Sequence, residues 1–183
     1  MALPESLKTS LSLPLVAAPM FLISGPEMAL ACCKQGIVGS FPALNQRTSE
    51  GFEEWVIQMN EGLKDFRETH PGQTAAPYAV NLIVHRTNPR WEADLDLCVK
   101  HQVPIVITSL GAATKVTEAV HSYGGVVFHD VTNQKHARKA AEAGVDGIIA
   151  VAAGAGGHAG TINPFVLVHE IREVFDGTIL LAG

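Results

Sequence analysis

The sequence predicts an α/β protein built as a parallel (β/α)8 TIM-type barrel, with about six βα units and a seventh strand present in this chain. Short apolar runs recur along the chain without polar alternation, which is typical of strands covered on both faces. Helical patterns separate these runs, and the short connections back to each strand favour parallel strands with right-handed crossovers. No GxGxxG motif follows the first run, and its absence favours the barrel over an open dinucleotide-binding sheet.

Seven apolar runs are the predicted strands, and each ends in turn residues. They are Pro14–Met20, Gly36–Ala43, Tyr78–Val84, Pro104–Thr108, Gly125–Asp130, Gly147–Ala152 and Thr178–Ala182. A complete barrel of this type needs about 250 residues, whereas this chain has 183. We therefore expect one barrel domain over residues 1–183 that lacks its final βα unit or units.

Capping patterns predict where the helices between these strands begin. Ser24 is expected to cap a helix that starts with Pro26, and Glu27 would complete a capping box. Asn163 precedes a proline in the same way, and Thr132 is expected to cap the helix after the fifth strand. The second helix has the clearest apolar stripe, which predicts a packing surface and consists of Phe52, Trp55, Val56, Met59, Leu63 and Phe66.

Composition excludes several classes of function. The net charge of −5 and the lack of any Lys/Arg cluster make nucleic acid an unsuitable partner. Cys32, Cys33 and Cys98 have neither disulfide-framework nor metal-site spacing, so we expect reduced core thiols and no metal centre. No signal peptide or membrane-length apolar run is present, which predicts a cytoplasmic protein without a membrane partner. The oligomeric state stays open, with a homo-oligomer among the alternatives.

The loop after the sixth predicted strand has the strongest functional signal. Four glycines surround His158 in the segment 154–160, which reads GAGGHAG. Glycines permit positive φ and close approach of backbone to a ligand, while histidine titrates near neutral pH. A solvated loop histidine beside a tight turn is the plain alternative. Because barrel active sites lie at the carboxyl ends of strands, we predict that His158 is the catalytic base.

Other polar residues lie in or after the predicted strands. Asn81 is within the third strand, where a buried amide without a partner would cost about 1–3 kcal/mol; it bonds either a neighbouring backbone group or a ligand. The pairs Thr108-Ser109 and His129-Asp130 are placed where their side chains could face the barrel mouth, and His85 is a weaker candidate.

These residues resemble the nitronate monooxygenases, formerly called 2-nitropropane dioxygenases. The resemblance runs from about Leu13 to Gly183, and its most specific part is the AGGHAG segment at 155–160. The segments Ala17–Met20, His129–Asn133 and Ala143–Gly147 and the strand-borne Asn81 carry the rest.

The resemblance implies an FMN-dependent barrel that oxidises alkyl nitronates and nitroalkanes with O2 to a carbonyl compound and nitrite. On the family pattern, His158 removes the α-proton of a nitroalkane or holds an anionic nitronate. The physiological substrate is not fixed by the resemblance.

The same pattern assigns the FMN contacts. Ala18 and Met20 would flank the isoalloxazine, Asn81 would bond its polar edge, and Gly156 and Gly157 would let the loop approach it. Gly183 would begin a glycine pair that helps hold the phosphate; the units that would follow, which normally hold this group, are not in the sequence. Asp130 stands where some members carry a basic residue.

Three alternatives remain open. A related FMN barrel, of the enoyl-[acyl-carrier-protein] reductase type, has a similarly placed histidine and consumes NADH. A non-catalytic remnant would keep the packing pattern without the phosphate site. A flavin-free barrel that binds a sugar phosphate would be colourless.

Overall fold

The computed structural model describes residues 3–109 and 114–183. Its centre is a curled sheet of six parallel strands in the order β1-β2-β3-β4-β5-β6, so each strand pairs with its neighbours in sequence. The strands are β1 (Gly39–Pro42), β2 (Tyr78–Ile83), β3 (Ile105–Ser109), β4 (Val126–Val131), β5 (Gly147–Val151) and β6 (Thr178–Ala182). This arrangement confirms the predicted incomplete parallel barrel.

Helices connect the strands and cover the outer face of the sheet. They are α1 (Glu5–Lys8), α2 (Pro26–Lys34), α3 (Ser49–Thr69), α4 (Trp91–Lys100), α5 (Thr114–His121), α6 (Gln134–Glu142) and α7 (Pro164–Arg172), with one 3-10 turn at Ala43–Asn45. The predicted stripe of α3 packs inward, since Phe52, Val56 and Met59 are fully buried. None of the helices described is long and apolar enough to cross a membrane.

The first predicted strand, Pro14–Met20, differs from expectation. It contributes one isolated parallel bridge between Val16 and Val38. Two backbone bonds hold this bridge, from Ala17 N to Val38 O and from Val38 N to Leu15 O. Leu13 and Leu15 are more than half exposed, so this stretch lacks the two-sided burial that favours a continuous central strand.

Side chains alternate between the two faces of the sheet, as the strand repeat requires. Val80, Val106 and Val127 belong to the large outer core that packs against the helices. Ala79, Ile107 and Phe128 belong to a second cluster on the inner face. The fold therefore has one apolar layer outside the sheet and another inside the partial barrel.

The N-terminal helix closes the inner face on one side. Leu7 of α1 is 4% exposed and packs with the inner cluster. A small apolar cavity remains there, lined by Leu7 and Leu11 from the N-terminal segment and by Ile105 and Phe128 from the sheet. The apolar residues of β2, β3 and β4 that reach this cluster precede the polar residues at the carboxyl ends of the same strands.

Helix caps agree with the sequence in one case and differ in two. Asn163 caps α7 by accepting from the Phe165 amide at 3.0 Å. Gly25, and not Ser24, is the N-cap of α2, since the Ser24 hydroxyl accepts from the Met20 amide at 2.9 Å. Asn133, and not Thr132, caps α6. Each serine or threonine is displaced by a neighbour whose geometry suits the cap.

Candidate functional site

Three polar side chains form a hydrogen-bonded ladder across the inner face of the sheet. Asn81 of β2 donates from Nδ2 to the Ser109 hydroxyl of β3 at 2.9 Å. Ser109 donates to Oδ2 of Asp130 on β4 at 2.5 Å. We call Asn81, Ser109 and Asp130 the polar ladder. They share the inner face because Asn81 follows Ala79, Ser109 follows Ile107 and Asp130 follows Phe128 at two-residue spacing.

Asp130 is a partly enclosed carboxyl group within this ladder. Burial raises its pKa above the ordinary range, because an ionised carboxylate loses hydration there; the hydrogen bond from Ser109 acts in the opposite direction and is the smaller effect. No ion pair of Asp130 is formed with the described residues. The ladder therefore ends in a carboxyl group that is uncharged over a wider pH range than usual.

The residues directly before Ser109 and Asp130 face the opposite side of the sheet. Thr108 and His129 lie on the helix side, where the Thr108 hydroxyl and Nδ1 of His129 are 2.5 Å apart. Both are buried, and burial together with the charge of His136 lowers the pKa of His129. Of the four residues expected to reach the mouth, the alternation of the strands directs Ser109 and Asp130 inward and Thr108 and His129 outward.

The loop that carries His158 follows β5 and is open. Its ends are tied down, since Gly160 N donates to Ala152 O at 3.2 Å and Ala153 N to Ile162 O at 2.9 Å. His158 is exposed, and its ring makes no hydrogen bond to any residue in the described ranges. The imidazole is thus available to a ligand.

Packing does not explain why residue 156 is a glycine. A Cβ added at Gly156 would meet no atom within 4 Å, and its φ is not in the left-handed region. Gly157 has the same open surroundings but a φ of +71°, which favours glycine. The surface beside Gly156 and Gly157 therefore has room for a flat or anionic group to approach the backbone.

Gly183 lies against the start of the same loop. A Cβ at Gly183 would come within 2.3 Å of Ala155 N, and Gly154 is close to Gly183 as well. The bond from Ala152 N to Ala182 O, at 2.8 Å, holds the two segments side by side. The glycine loop therefore lies beside the carboxyl end of β6, because β5 and β6 are neighbouring parallel strands.

Ala18 and Met20 lie in the loop between the Val16 bridge and α2, which we call the first βα loop, and both are exposed. Asn45 holds this loop: its Nδ2 donates to Met20 O at 3.0 Å and to Ser24 O at 2.8 Å, and its Oδ1 accepts from Leu22 N at 2.9 Å. Leu22 has a φ of +62°, which is costly for a leucine. The loop is held by side-chain bonds and presents Phe21, Leu22 and Ile23 to solvent.

Arg90 supports Asn45 from the next βα unit. Its guanidinium donates to Gln46 O at 2.8 Å and to Ala43 O at 3.3 Å, and it pairs with Asp94 at 2.9 Å. Asp94 is fully buried and also accepts from Ser49 at 2.7 Å. This network fixes the turn that carries Asn45.

The structure distributes the predicted site residues over one edge of the sheet. Ala18, Met20, His158, Gly156, Gly157 and Gly183 are on loops or a strand end at the carboxyl edge, and Asn81 is on the inner face below it. His85 has a local role, since its Nδ1 is 2.9 Å from the Thr87 hydroxyl within a turn. No group of three or more metal-binding side chains occurs in the parts of the chain that the structure describes.

The sequence analysis did not identify Asn45, and it named the three ladder residues without predicting that they bond to one another. Asn45 follows a strand in an otherwise unremarkable Pro-Ala-Leu-Asn stretch, so no local pattern identifies it. The ladder depends on strand register, which pairs Leu82 with Thr108 and Ile83 with Ser109. The sequence shows polar residues at the ends of neighbouring strands, but it does not show which of them form hydrogen bonds with one another.

Comparison with known proteins identifies relatives. The family model described as nitronate monooxygenase matches residues 57–183. A nitronate monooxygenase from Neurospora crassa is 28% identical over 191 aligned positions, which cover 88% of this chain and 49% of that protein. This chain thus spans about half the length of that relative.

Two solved structures share the fold. Nitroalkane oxidase from Streptomyces ansochromogenes has a TM-score of 0.79 and 21% identity, covering 96% of this chain and 60% of its own. FabK from Thermotoga maritima has a TM-score of 0.78 and 23% identity, covering 92% of this chain and 50% of its own. At these identities the likeness concerns the fold.

Proposed function

Since the chain belongs to the nitronate monooxygenase family, we propose that it is part of an FMN-dependent enzyme that oxidises alkyl nitronates and nitroalkanes with O2. The products are a carbonyl compound and nitrite. Members of this family are flavin enzymes. The observation that carries the proposal is the open glycine loop with His158 at the carboxyl edge of the sheet, the edge at which barrel enzymes place their chemistry.

The residues present suit a flavin. Gly156 and Gly157 leave open space beside the loop backbone, and Gly183 allows the loop to lie against β6. Asn81 offers an amide at the inner face, while Ala18 and Met20 line the first βα loop. We therefore propose residues 1–183 as one FMN-binding barrel domain, with these six residues as contacts. When bound, FMN would accept electrons from the substrate and pass them to O2.

His158 is the proposed catalytic base. A neutral imidazole can take the α-proton of a nitroalkane near neutral pH, and the imidazolium then stabilises the negative charge of the nitronate. A nitronate substrate has already lost this proton, so His158 would only bind and orient it. The exposed position of His158 lets it reach a small-molecule substrate without rearrangement of the sheet.

The first experiment is a visible absorption spectrum of the purified 183-residue chain before and after addition of FMN. Flavin bands shifted from those of free FMN, followed by O2-dependent nitrite release from a nitronate, are the expected results. NADH-dependent reduction of an enoyl thioester without nitrite release would favour the reductase alternative instead. A folded chain that leaves the FMN spectrum unchanged would contradict the proposed domain.

A further inference from the structure

We propose that Ser109 and Asp130 are positioning residues that orient the Asn81 amide, so that its Oδ1 accepts a hydrogen bond from the ring N–H of the flavin. This inference rests on the proposed function, because it concerns the flavin site. It adds two residues and a direction of hydrogen bonding to the contact expected of Asn81. The observation behind it is the polar ladder on the inner face of the sheet.

The hydrogens of the Asn81 amide are already used. Nδ2 donates to the Ser109 hydroxyl at 2.9 Å and to the Ile107 carbonyl oxygen at 3.4 Å. The Ile107 carbonyl can only accept, so the group that faces it must be the NH2 of the amide. Oδ1 of Asn81 consequently points away from β3.

Asp130 fixes the direction of the next bond. A serine hydroxyl has one hydrogen, and Ser109 donates it to Oδ2 of Asp130, which, when the carboxyl group is ionised, can only accept. The Ser109 oxygen can then only accept from Asn81, which again selects the NH2 group. Asp130 thus acts on the amide through Ser109 and makes no hydrogen bond to Asn81 in the described structure.

The remaining atom, Oδ1 of Asn81, is free to accept. Oδ1 takes no hydrogen bond from the described residues, and it is not among their fully buried atoms without a partner, so part of this atom is accessible. Asn81 as a whole is 8% exposed. An acceptor at this depth favours a ligand with an N–H donor, because a ligand acceptor would leave both groups unsatisfied.

Oxidised isoalloxazine has one ring N–H, at N3, between two carbonyl groups. An acceptor in the protein can therefore make one kind of direct hydrogen bond to the ring, and the ladder supplies that acceptor in a fixed orientation. Because the amide is oriented before the ligand arrives, binding does not have to reorganise it.

The test uses FMN labelled with 15N at N3 and bound to the full 183-residue chain. In the wild-type chain we expect an N3–H resonance protected from exchange with water. Ser109→Ala removes the acceptor that holds the amide, so we expect exchange to become about tenfold faster and FMN binding to weaken about tenfold. Asp130→Asn lets residue 130 donate to Ser109, so we expect a change in the same direction. Ser109→Thr keeps the hydroxyl and should restore protection.

Thr108→Val is the matched control, because Thr108 also makes a side-chain hydrogen bond to β4, on the opposite face of the same strand. It should leave the N3–H resonance as in the wild type. Equal protection in the wild type and in Ser109→Ala, with both chains folded by circular dichroism and both holding FMN, would overturn the inference alone. Failure of the folded wild-type chain to bind FMN would overturn the proposed function and this inference with it.

Discussion

The Ser109 hydroxyl lies 2.5 Å from Oδ2 of Asp130, although the two residues are 21 positions apart in sequence. The parallel pairing of β3 with β4 brings them to the same face, and no cation among the described residues accompanies the carboxyl group. Burial raises the pKa of Asp130. The first prediction follows from this relationship.

Replacing Asp130 by asparagine should change how stability depends on pH. Because the folded-state pKa of Asp130 is raised, the folded chain holds its proton at pH values where the unfolded chain has lost it. Wild-type stability should therefore fall, relative to Asp130→Asn, as pH rises from the ordinary aspartate range through the raised pKa. Urea unfolding of both chains from acid to neutral pH measures this. A stability difference that is constant with pH would contradict the prediction.

His129 should show the opposite dependence. Burial lowers its pKa, and the charge of His136 lowers it further, so the unfolded chain takes up a proton before the folded chain does. Stability from this group should decline as pH falls from the ordinary histidine range, about 6.5, through the lowered pKa. We expect a ring-proton NMR titration midpoint for His129 below that range, and a higher midpoint in His136→Ala. A midpoint at or above the ordinary value would refute the assignment.

His158→Ala should separate the two substrate classes. Turnover of a neutral nitroalkane should fall by about two to four orders of magnitude, since general base catalysis typically contributes this much, whereas turnover of a preformed nitronate should fall far less. Steady-state kinetics with both substrates measures the ratio. His169→Ala, which removes another exposed histidine, is the control. Equal losses on both substrates would exclude His158 as the base.

Gly156→Ala should affect ligand binding and leave folding intact. A Cβ at this position meets no atom, so the melting temperature should be unchanged or slightly higher, while FMN binding should weaken because the methyl group occupies the space beside the loop. Gly157→Ala provides the comparison: its φ of +71° should cost about 1 kcal/mol of stability. Unaltered FMN affinity in Gly156→Ala would argue against contact at this residue.

Asn45→Ala should loosen the first βα loop. Loss of the bonds to Met20, Leu22 and Ser24 should speed hydrogen exchange at the Leu22 amide and lower the free energy of unfolding by about 1 kcal/mol. Asn133→Ala, which removes a helix cap elsewhere, should cost a similar amount without changing exchange at Leu22. Exchange at Leu22 that is equally fast in both variants would show that Asn45 does not hold the loop.

The sequence alone determined the parallel fold, because the central strands β2, β3 and β4 are short, mainly apolar runs covered on both faces. It also identified the AGGHAG segment, since clustered glycines beside a histidine form a local pattern that needs no tertiary information. The sequence also predicted the buried apolar stripe of α3, because helical periodicity follows from residue spacing.

Only the tertiary structure decided which polar residues meet. Thr108 and Ser109 are adjacent and chemically alike, yet they face opposite sides of the sheet. Thr108 therefore bonds to His129, and Ser109 bonds to Asp130. Asn45 reaches the first βα loop across more than twenty residues, without any sequence signal. The first predicted strand also became a single bridge, because its exposure is set by neighbours and not by its own composition. Register, facing and long-range contacts are properties of the packed sheet, and so they are fixed only when the chain is folded.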